Sequence, residues 1–581
     1  DEKSKHASKG GKKIDWKAID KEISSKLASA QNVYLVSNTI ISPSTKRLIR
    51  EFGAKYSNFK HITYDPNSFS GMLAAHAKKG TAAIPSFDFS KAETIVSFDA
   101  DFLGAWISQV EHTKQYSKSR KVSPTKKTMS RHYQFEARYS MTGANADHRI
   151  LVKPSEQAIY IANLYNAIAS KAGRSAVNTP VIKDAKGKTK LTKCANDLWA
   201  SKAKSIVVSG SNNEGVQTLV MGINEMLGAY GTTLDLTNPS FQKQGNDAEM
   251  TQFVSELKGG KVGAVVFYNA NPAYDHAQGK DILAGLAKTK VSISTADRLD
   301  ETAEKCTYHT PDSHYLESWN DAEPKRGHFG LCQPTIRTIY NTRQAQTSFM
   351  TWAGIKGDFL TYIQEHWKAN VFALQSKVTD FDLFWKTTLH DGIFEAKTVP
   401  ASYKSIHAGG IAKKSFVAVV ADSLSTNTEG TDVQEVVVEE TMVSTGAINW
   451  AEAASQALLS QKSAAWEFIA YPAPVLGDGR QANNPWIQES PDPISKMCWG
   501  HYASISTADA EKLGLDAFTM DKSKGRVPQI NLTINGQDLG NFPIVAQPGQ
   551  ANGTVAVATG YGRGKGVGKV ALEAGGVSVY P

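Results

Sequence analysis

The sequence predicts an α/β protein: two doubly wound α/β units in tandem, followed by a β-rich, barrel-like C-terminal domain. Three observations carry this prediction. From residue 33 onward, short apolar runs of strand length alternate with helical patterns, the signature of a parallel sheet covered on both faces. The alternation restarts after residue 200. The final third turns to period-two alternation with glycine-rich turns.

The chain has 581 residues and a mass of 63.0 kDa. At roughly 100–200 residues per domain, three or four domains are expected. Hydrophobic residues at 41% and charged residues at 21% exclude bulk disorder. No apolar run approaches the ~18–20 residues that span a bilayer. The longest, such as 416–421 and 263–268, have the length of buried strands. The expected divisions are a flexible remnant at 1–13, a first α/β unit at 14–199, a second unit with a helical extension at 200–400, a connecting α/β segment at 401–495, and the barrel-like domain at 496–581.

In order, a helix is expected over 16–27, with Ile19, Ile23 and Leu27 on one face. A strand at 33–36 leads through Ser42-Pro43-Ser44 into a helix ending near Phe52. A strand at 94–98 runs into Asp99-Ala100-Asp101 and a helix through Val110, followed by strands around Phe135 and at 150–153. In the second unit, the strand at 205–208 meets a polar turn at 209–215 and a helix at 216–227. The strand at 261–268 ends in Asn269-Ala270-Asn271-Pro272, and another spans 291–294. Helices over 347–395 carry Trp352, Phe359, Trp367, Phe372 and Trp385, spaced as core residues. The strand at 529–534 turns at Asn535-Gly536-Gln537, and the strand at 554–558 precedes Gly560, Gly562, Gly564, Gly566 and Gly568.

Lys and Arg number 65 against 56 Asp and Glu, a net charge of +9. Residues 1–13 contribute +3 and residues 114–131 contribute +7, so the basicity is local. The second run holds Lys114, Lys118, Arg120, Lys121, Lys126, Lys127 and Arg131 with no acid and only Tyr116 as an aromatic. That favours a solvated loop, or a docking patch for an acidic partner or lipid headgroups, over nucleic acid. Cys194, Cys306, Cys332 and Cys498 contain no Cys-x-x-Cys, which argues against an iron–sulfur cluster held by this chain alone. Cys306, His309, His314, His328 and Cys332 could hold zinc by ligand type, but they lack tight repeated spacing, so loop and core roles are expected.

In a parallel sheet, ligands sit at the C-terminal strand ends beside a topological switch point. Phosphate-binding turns there use glycine so that backbone N–H groups can approach the anion. The first such turn offers Asp99 and Asp101, whose charges repel a pyrophosphate. The turn 210–215 matches no glycine-rich fingerprint, and Gly560-x-Gly562-x-Gly564 is not expected to open a helix. No nucleophile elbow, His-Glu-x-x-His or Walker-type loop occurs. Glu439 and Glu440 lie on a strand-like stretch and are expected to face solvent.

Several segments together resemble the large subunits of molybdopterin oxidoreductases. They are Trp16-Lys17-Ala18-Ile19; the strand, turn and Trp of 95–106; Glu136-Ala137-Arg138 through Asn145-Ala146-Asp147 and Lys153-Pro154; the Asn-Pro turn of 268–274; Asp300-Glu301-Thr302-Ala303 with Leu316-Glu317-Ser318-Trp319; Gln547-Pro548-Gly549; and Gly560-Tyr561-Gly562-Arg563. Their order along the chain covers most of residues 14–581. Asn483-Asn484-Pro485-Trp486-Ile487-Gln488-Glu489 with Pro491-Asp492-Pro493 resembles the molybdopterin-oxidoreductase-like iron–sulfur subunit of bacterial alternative complex III.

That resemblance implies a scaffold without molybdopterin and without catalytic residues of its own, part of a complex that oxidises quinol. It implies 4Fe-4S and 3Fe-4S clusters in an adjoining domain. The implied partners are membrane-embedded quinol-oxidising subunits and a multihaem cytochrome c subunit, at the periplasmic face of the inner membrane. The chain is then a portion of a longer polypeptide, with no transmembrane segment of its own and no nucleic-acid partner. Departures from the family pattern agree with cofactor loss: Asp99 and Asp101 replace its Gly and Asn, Asn269 replaces a Gly ahead of Asn271, Gln157 replaces the guanine-binding acid, and Asp300 lies on the same cleft. The metal-ligand stretch 64–68 has no Cys, though Asp65 or Ser68 could serve as a ligand. The rival expectation is an active molybdopterin-dependent catalytic subunit of the polysulfide- or thiosulfate-reductase kind.

Overall fold

The computed structural model describes residues 3–400, 403, 447–459, 462–515 and 527–580. The expected run 416–421 and the pair Glu439–Glu440 lie outside the described residues.

The largest sheet has seven strands. Its parallel part runs, in spatial order, Tyr308–His309, Val291–Ser294, Ala264–Tyr268, Val33–Ser37 and Lys60–Thr63. Every residue of Val33–Ser37 and Ala264–Tyr268 is buried, as their largely apolar character requires. The chain winds outward in both directions from these two, so the switch point lies between them. The helix Trp16–Ser29 buries Ile19, Ile23 and Leu27 against this sheet's core, each contributing about 1.5–3 kcal/mol, and Asp15 caps it by accepting from Lys17 N.

A second sheet holds four parallel strands in the order His148–Leu151, Arg131–Glu136, Thr94–Phe98 and Ser205–Ser209. The helices Pro154–Lys171, Ala185–Ala200 and Glu214–Met226 pack into one apolar core beside it, and Phe89, Phe102 and Trp106 belong to another. Its switch point lies between Thr94–Phe98 and Ser205–Ser209. A five-stranded antiparallel sheet, from Ile84–Phe87 to Ile393–Glu395, draws strands from both halves of the chain. The C-terminal sheet is mixed, in the order Glu467–Tyr471, Thr554–Ala558, Ala503–Ser506, Gln537–Gln547 and Gln529–Ile534. Its expected hairpin turns at Asn535 and Gly536, both with positive φ (50° and 81°), the turn that suits a two-residue connection. Trp352, Phe359, Trp367 and Trp385 are core, and Phe372 packs against them.

The α/β class stands, but the expected divisions cut through sheets. Ser205–Ser209, assigned to the second unit, pairs with Thr94–Phe98 of the first. Ala264–Tyr268 pairs with Val33–Ser37, so the large sheet gathers strands from both. Glu467–Tyr471, assigned to the connecting segment, is a strand of the C-terminal sheet. The cause is the long crossovers that parallel pairing demands, which let a chain leave a sheet and return. Residues 1–13 are not a free remnant from Lys3 on: Ser8 pairs with His309, Ala7 is buried, and Lys9 Nζ lies 2.5 Å from Glu22 Oε1. The large sheet's edge has backbone groups to satisfy, and this segment satisfies them. No helix spans the residues just after Asp101. They wind in turns with Gly104, Ala105 and Trp106 all bonded to Asp101 O, and the helix is Gln109–Arg120. A short helix, Lys569–Glu573, does follow the glycine-rich turn.

Candidate functional site

Both parallel sheets present their switch-point crevices toward the C-terminal unit. Asp99 and Asn269 hold equivalent positions, each directly after its central strand and each in the left-handed region (φ 54° and 49°). Asp and Asn tolerate this conformation better than other residues bearing a Cβ.

At the small sheet the two turns touch. Gly210 N donates to Phe98 O at 2.8 Å, and a Cβ on Gly210 would lie 2.3 Å from Asp99 O. Asp101 accepts from Thr142 N (3.0 Å) and Thr142 Oγ1 (2.7 Å), with an Arg138 nitrogen at 3.5 Å. The Arg138 guanidinium stacks 4.0 Å over the ring of Tyr471, from the C-terminal sheet. Glu136 is buried and held by Arg149 Nε (2.5 Å), Ser140 Oγ (2.5 Å) and Gln134 Nε2 (3.0 Å). Burial, then the charge of Glu136, pushes the Asp99 carboxyl up to about 6, while Arg138 and a hydrogen bond from Gln157 oppose the shift. Ser155, two residues before Gln157, donates from N and Oγ to Glu467 at 2.8 and 2.6 Å, seating the C-terminal sheet on this end.

At the large sheet, Arg480 spans the mouth of the crevice. Its terminal nitrogens donate to Asn38 Oδ1 (2.9 Å) and Asn269 Oδ1 (3.2 Å), one after each central strand, and its Nε to Asp478 (3.0 Å). Its side chain remains 48% exposed. Asn38 Nδ2 donates to Tyr64 O, and the Tyr64 hydroxyl to the buried Asp275 at 2.6 Å. Burial pushes the Asp275 carboxyl up to about 8, with the Tyr64 bond opposing.

Deeper in, Asn271 accepts from Thr302 N and Oγ1 (3.0 and 2.7 Å) and donates to Glu301 at 2.6 Å. Glu301 is gripped by Arg563 Nε and a terminal nitrogen, both at 3.0 Å, and by Gly564 N at 2.6 Å. Burial would raise the Glu301 carboxyl, but the Arg563 bond and charge outweigh it and hold it at about 2. Asp300 caps the following turn through Ala303 N (2.8 Å), and burial, with the charge of Glu301, lifts it to about 7. Arg563 also donates to Gly479 O and stacks 4.0 Å over Tyr274.

Arg480, Tyr471 and the central place of Glu301 were not among the residues expected from the sequence. One signal was present: Gly477-Asp478-Gly479-Arg480 and Gly560-Tyr561-Gly562-Arg563 share a Gly-x-Gly-Arg pattern. All four glycines have positive φ, and a Cβ on Gly479 would lie 2.6 Å from Gly560 O. The two turns therefore stand back to back, each projecting an arginine toward the large sheet.

The candidate metal ligands have partners within the protein. Asp65 accepts from Thr39 Oγ1 (2.6 Å) and Gly245 N (3.0 Å), and Ser68 Oγ bonds Asp247 at 2.8 Å. The Cys and His residues weighed for zinc diverge: His309 meets Ala296 O, His314 caps Leu316 N, His328 faces Glu395, and Cys332 meets Tyr315 O. Among the described residues no group of three His, Cys, Asp or Glu is placed to hold a metal ion, and no helix is long and apolar enough to cross a membrane.

No protein-family model and no curated protein matches the chain. Among solved structures, it is similar to acetylene hydratase from Pelobacter acetylenicus, at a TM-score of 0.60 and 11% identity over 96% of this chain and 85% of that one. The formyltransferase/hydrolase complex (FhcABCD) from Methylorubrum extorquens matches at a TM-score of 0.40 and 13% identity over 62% of this chain and 99% of that one, a likeness too small to carry an inference. With its paired parallel sheets and C-terminal β unit, the chain has a molybdopterin oxidoreductase-like fold.

Proposed function

We propose that this chain uses the fold as a scaffold without molybdopterin, in a quinol-oxidising respiratory complex of the alternative complex III kind, buttressing an adjoining iron–sulfur domain. The observation that carries the cofactor-free reading is the contact of Asp99 with Gly210 at the small-sheet switch point. A pyrophosphate needs open glycine N–H groups there. It would instead meet touching turns and the carboxylates of Asp99 and Asp101, with Arg138 already engaged by Asp101 and Arg149 by the buried Glu136. Those residues do not fit a dinucleotide. The Arg480 span across Asn38 and Asn269 supports the same reading at the other sheet.

The scaffold role rests on the resemblance of 483–493 and on the fold's capacity to fix neighbours without chemistry. Metal and pterin analysis of the purified full-length protein tests the first part: neither molybdenum nor an oxidised pterin fluorophore is expected, and a stoichiometric amount of either overturns it. Purification of the tagged protein from native membranes tests the second. Iron–sulfur electron-spin signals and c-type haem absorbance should co-purify, and their absence rejects the complex. On the periplasmic placement, protease added to intact spheroplasts should reach the chain; full protection rejects it.

A further inference from the structure

Two lysine-rich runs, distant in sequence, are joined beside the small parallel sheet through the Arg131–Asp197 ion pair. Within 114–131 both arginines are engaged: Arg120 with Asp147 at 2.6 and 2.9 Å, Arg131 with Asp197 at 2.8 Å. The remaining cations are lysines, and Lys114, Lys118, Lys121, Lys126 and Lys127 are exposed. The segment is folded back rather than strung out, since Ser130 N bonds Ser119 O and Lys126 Nζ reaches Lys118 O at 2.7 Å. Asp197 belongs to the helix Ala185–Ala200, whose exposed residues include Lys186, Lys188, Lys190 and Lys193. Asp197 also accepts from the Tyr133 hydroxyl at 2.6 Å, which clamps this helix beside the start of strand Arg131–Glu136, where the lysine loop ends. After burial, the charges of Lys193 and Lys190 are the largest influences lowering the pKa of His148 on the neighbouring edge strand.

Between these lysines stand two exposed apolar side chains, Val122 (56%) and Met129 (52%). The loop 121–130 precedes the N-terminal end of strand Arg131–Glu136, and Lys190 and Lys193 lie beside His148 at the start of the neighbouring strand, away from the crevices at the C-terminal strand ends.

We propose that this face docks on an anionic lipid surface, with the lysine heads among the headgroups and Val122 and Met129 entering the interface. Lysine is a compact, hydrated point charge suited to a diffuse anionic layer, not to bidentate recognition of fixed carboxylates. A lysine near an anionic membrane surface is attracted to it by about 1 kcal/mol, so several on one face act together. The cores of protein–protein interfaces are depleted in Lys and enriched in aromatics, the reverse of this surface. A single-stranded nucleic acid would need stacking rings, and none interleaves with Lys118, Lys121, Lys126 and Lys127. The inference is independent of whether a pterin binds.

Cosedimentation with vesicles tests it. The protein should bind vesicles of phosphatidylcholine mixed with phosphatidylglycerol, release as salt rises, and ignore pure phosphatidylcholine. The variant Lys118→Glu/Lys121→Glu/Lys127→Glu should lose about a hundredfold or more in affinity, since each lysine contributes about 1 kcal/mol near such a surface. These three side chains are exposed. Lys186→Glu/Lys190→Glu/Lys193→Glu, on a different element, should act likewise. Val122→Ser/Met129→Ser should weaken binding severalfold and leave its salt dependence intact. Equal binding to neutral vesicles, undiminished binding by both charge variants, or retention by polyglutamate or duplex DNA with no vesicle binding would each overturn the proposal.

Discussion

Arg563 holds Glu301 with two nitrogens at 3.0 Å, across 262 residues of sequence, and the same guanidinium donates to Gly479 O. One side chain thus ties the large sheet's Asn271–Glu301 turn to both C-terminal Gly-x-Gly-Arg turns. The Arg563 side chain is only 5% exposed and that of Glu301 20%, so removing the arginine leaves a largely buried carboxylate without its cation. Arg563→Ala should cost about 3–5 kcal/mol of unfolding free energy, read by denaturant titration. Glu301, held at about 2 against an ordinary 4.5, contributes stability above pH 4.5 that is lost as pH falls toward 2. Glu301→Gln should therefore flatten that acid limb, and an unchanged limb would show that the pair is not a folding contact.

Asp275 gives the opposite slope. Its carboxyl rises from an ordinary 3.8 to about 8, so the folded state prefers the protonated acid. That preference is fully stabilising below pH 3.8 and is lost as pH climbs through 8. Asp275→Asn keeps an acceptor for the Tyr64 hydroxyl but does not ionise. The thermal midpoint of the variant should gain on that of the wild type between pH 4 and pH 8. Parallel profiles would mean the carboxyl is hydrated rather than buried.

The turns that build the site were legible and their lids were not. Strings such as Thr94–Phe98 and Ala264–Tyr268 are short, largely apolar runs followed by a polar residue, so their ends, and hence Asp99 and Asn269, could be placed from sequence. That Asp99 meets Gly210, or that Arg480 reaches both Asn38 and Asn269, depends on strand order. An apolar run carries no label for its neighbour: Val265 pairs with both Tyr34 and Ser292 through backbone groups every residue possesses. The Lys3–Lys13 segment misled for the same reason. Its composition reads as linker, and only the vacant edge beside Tyr308–His309 gives it a place.

The back-to-back glycine turns make a sharper test than either arginine. Gly479 has φ 82°, and an added Cβ would lie 2.6 Å from Gly560 O, which is backbone and cannot swing aside. Gly479→Ala should cost about 1–3 kcal/mol from conformational strain, with the steric term added. Gly10, with φ 53° and open space around it, is the control: Gly10→Ala meets the same conformational penalty but no clash. If the two variants unfold at the same temperature, the turns do not touch in solution.

Asp321 anchors the helix that follows strand Val33–Ser37. It accepts from Ser42 Oγ and Ser44 Oγ at 2.5 Å each and from Trp367 Nε1 at 2.9 Å, and it is 4% exposed. The serines open the helix Pro43–Ala54 and the tryptophan comes from the helical extension, so one carboxylate joins elements over 300 residues apart. Lys46, buried nearby, feels its charge and that of Glu323. Asp321→Ala leaves the Ser44 hydroxyl and the Trp367 indole N–H without this acceptor and leaves the buried Lys46 ammonium with Glu323 alone, at a cost of about 3–5 kcal/mol. Asp321→Asn can still accept through its carbonyl oxygen but not on both sides, and it gives up the charge facing Lys46. It should fall between wild type and Asp321→Ala in denaturant midpoint, and a neutral Asp321→Ala would show that the helical extension packs without this anchor.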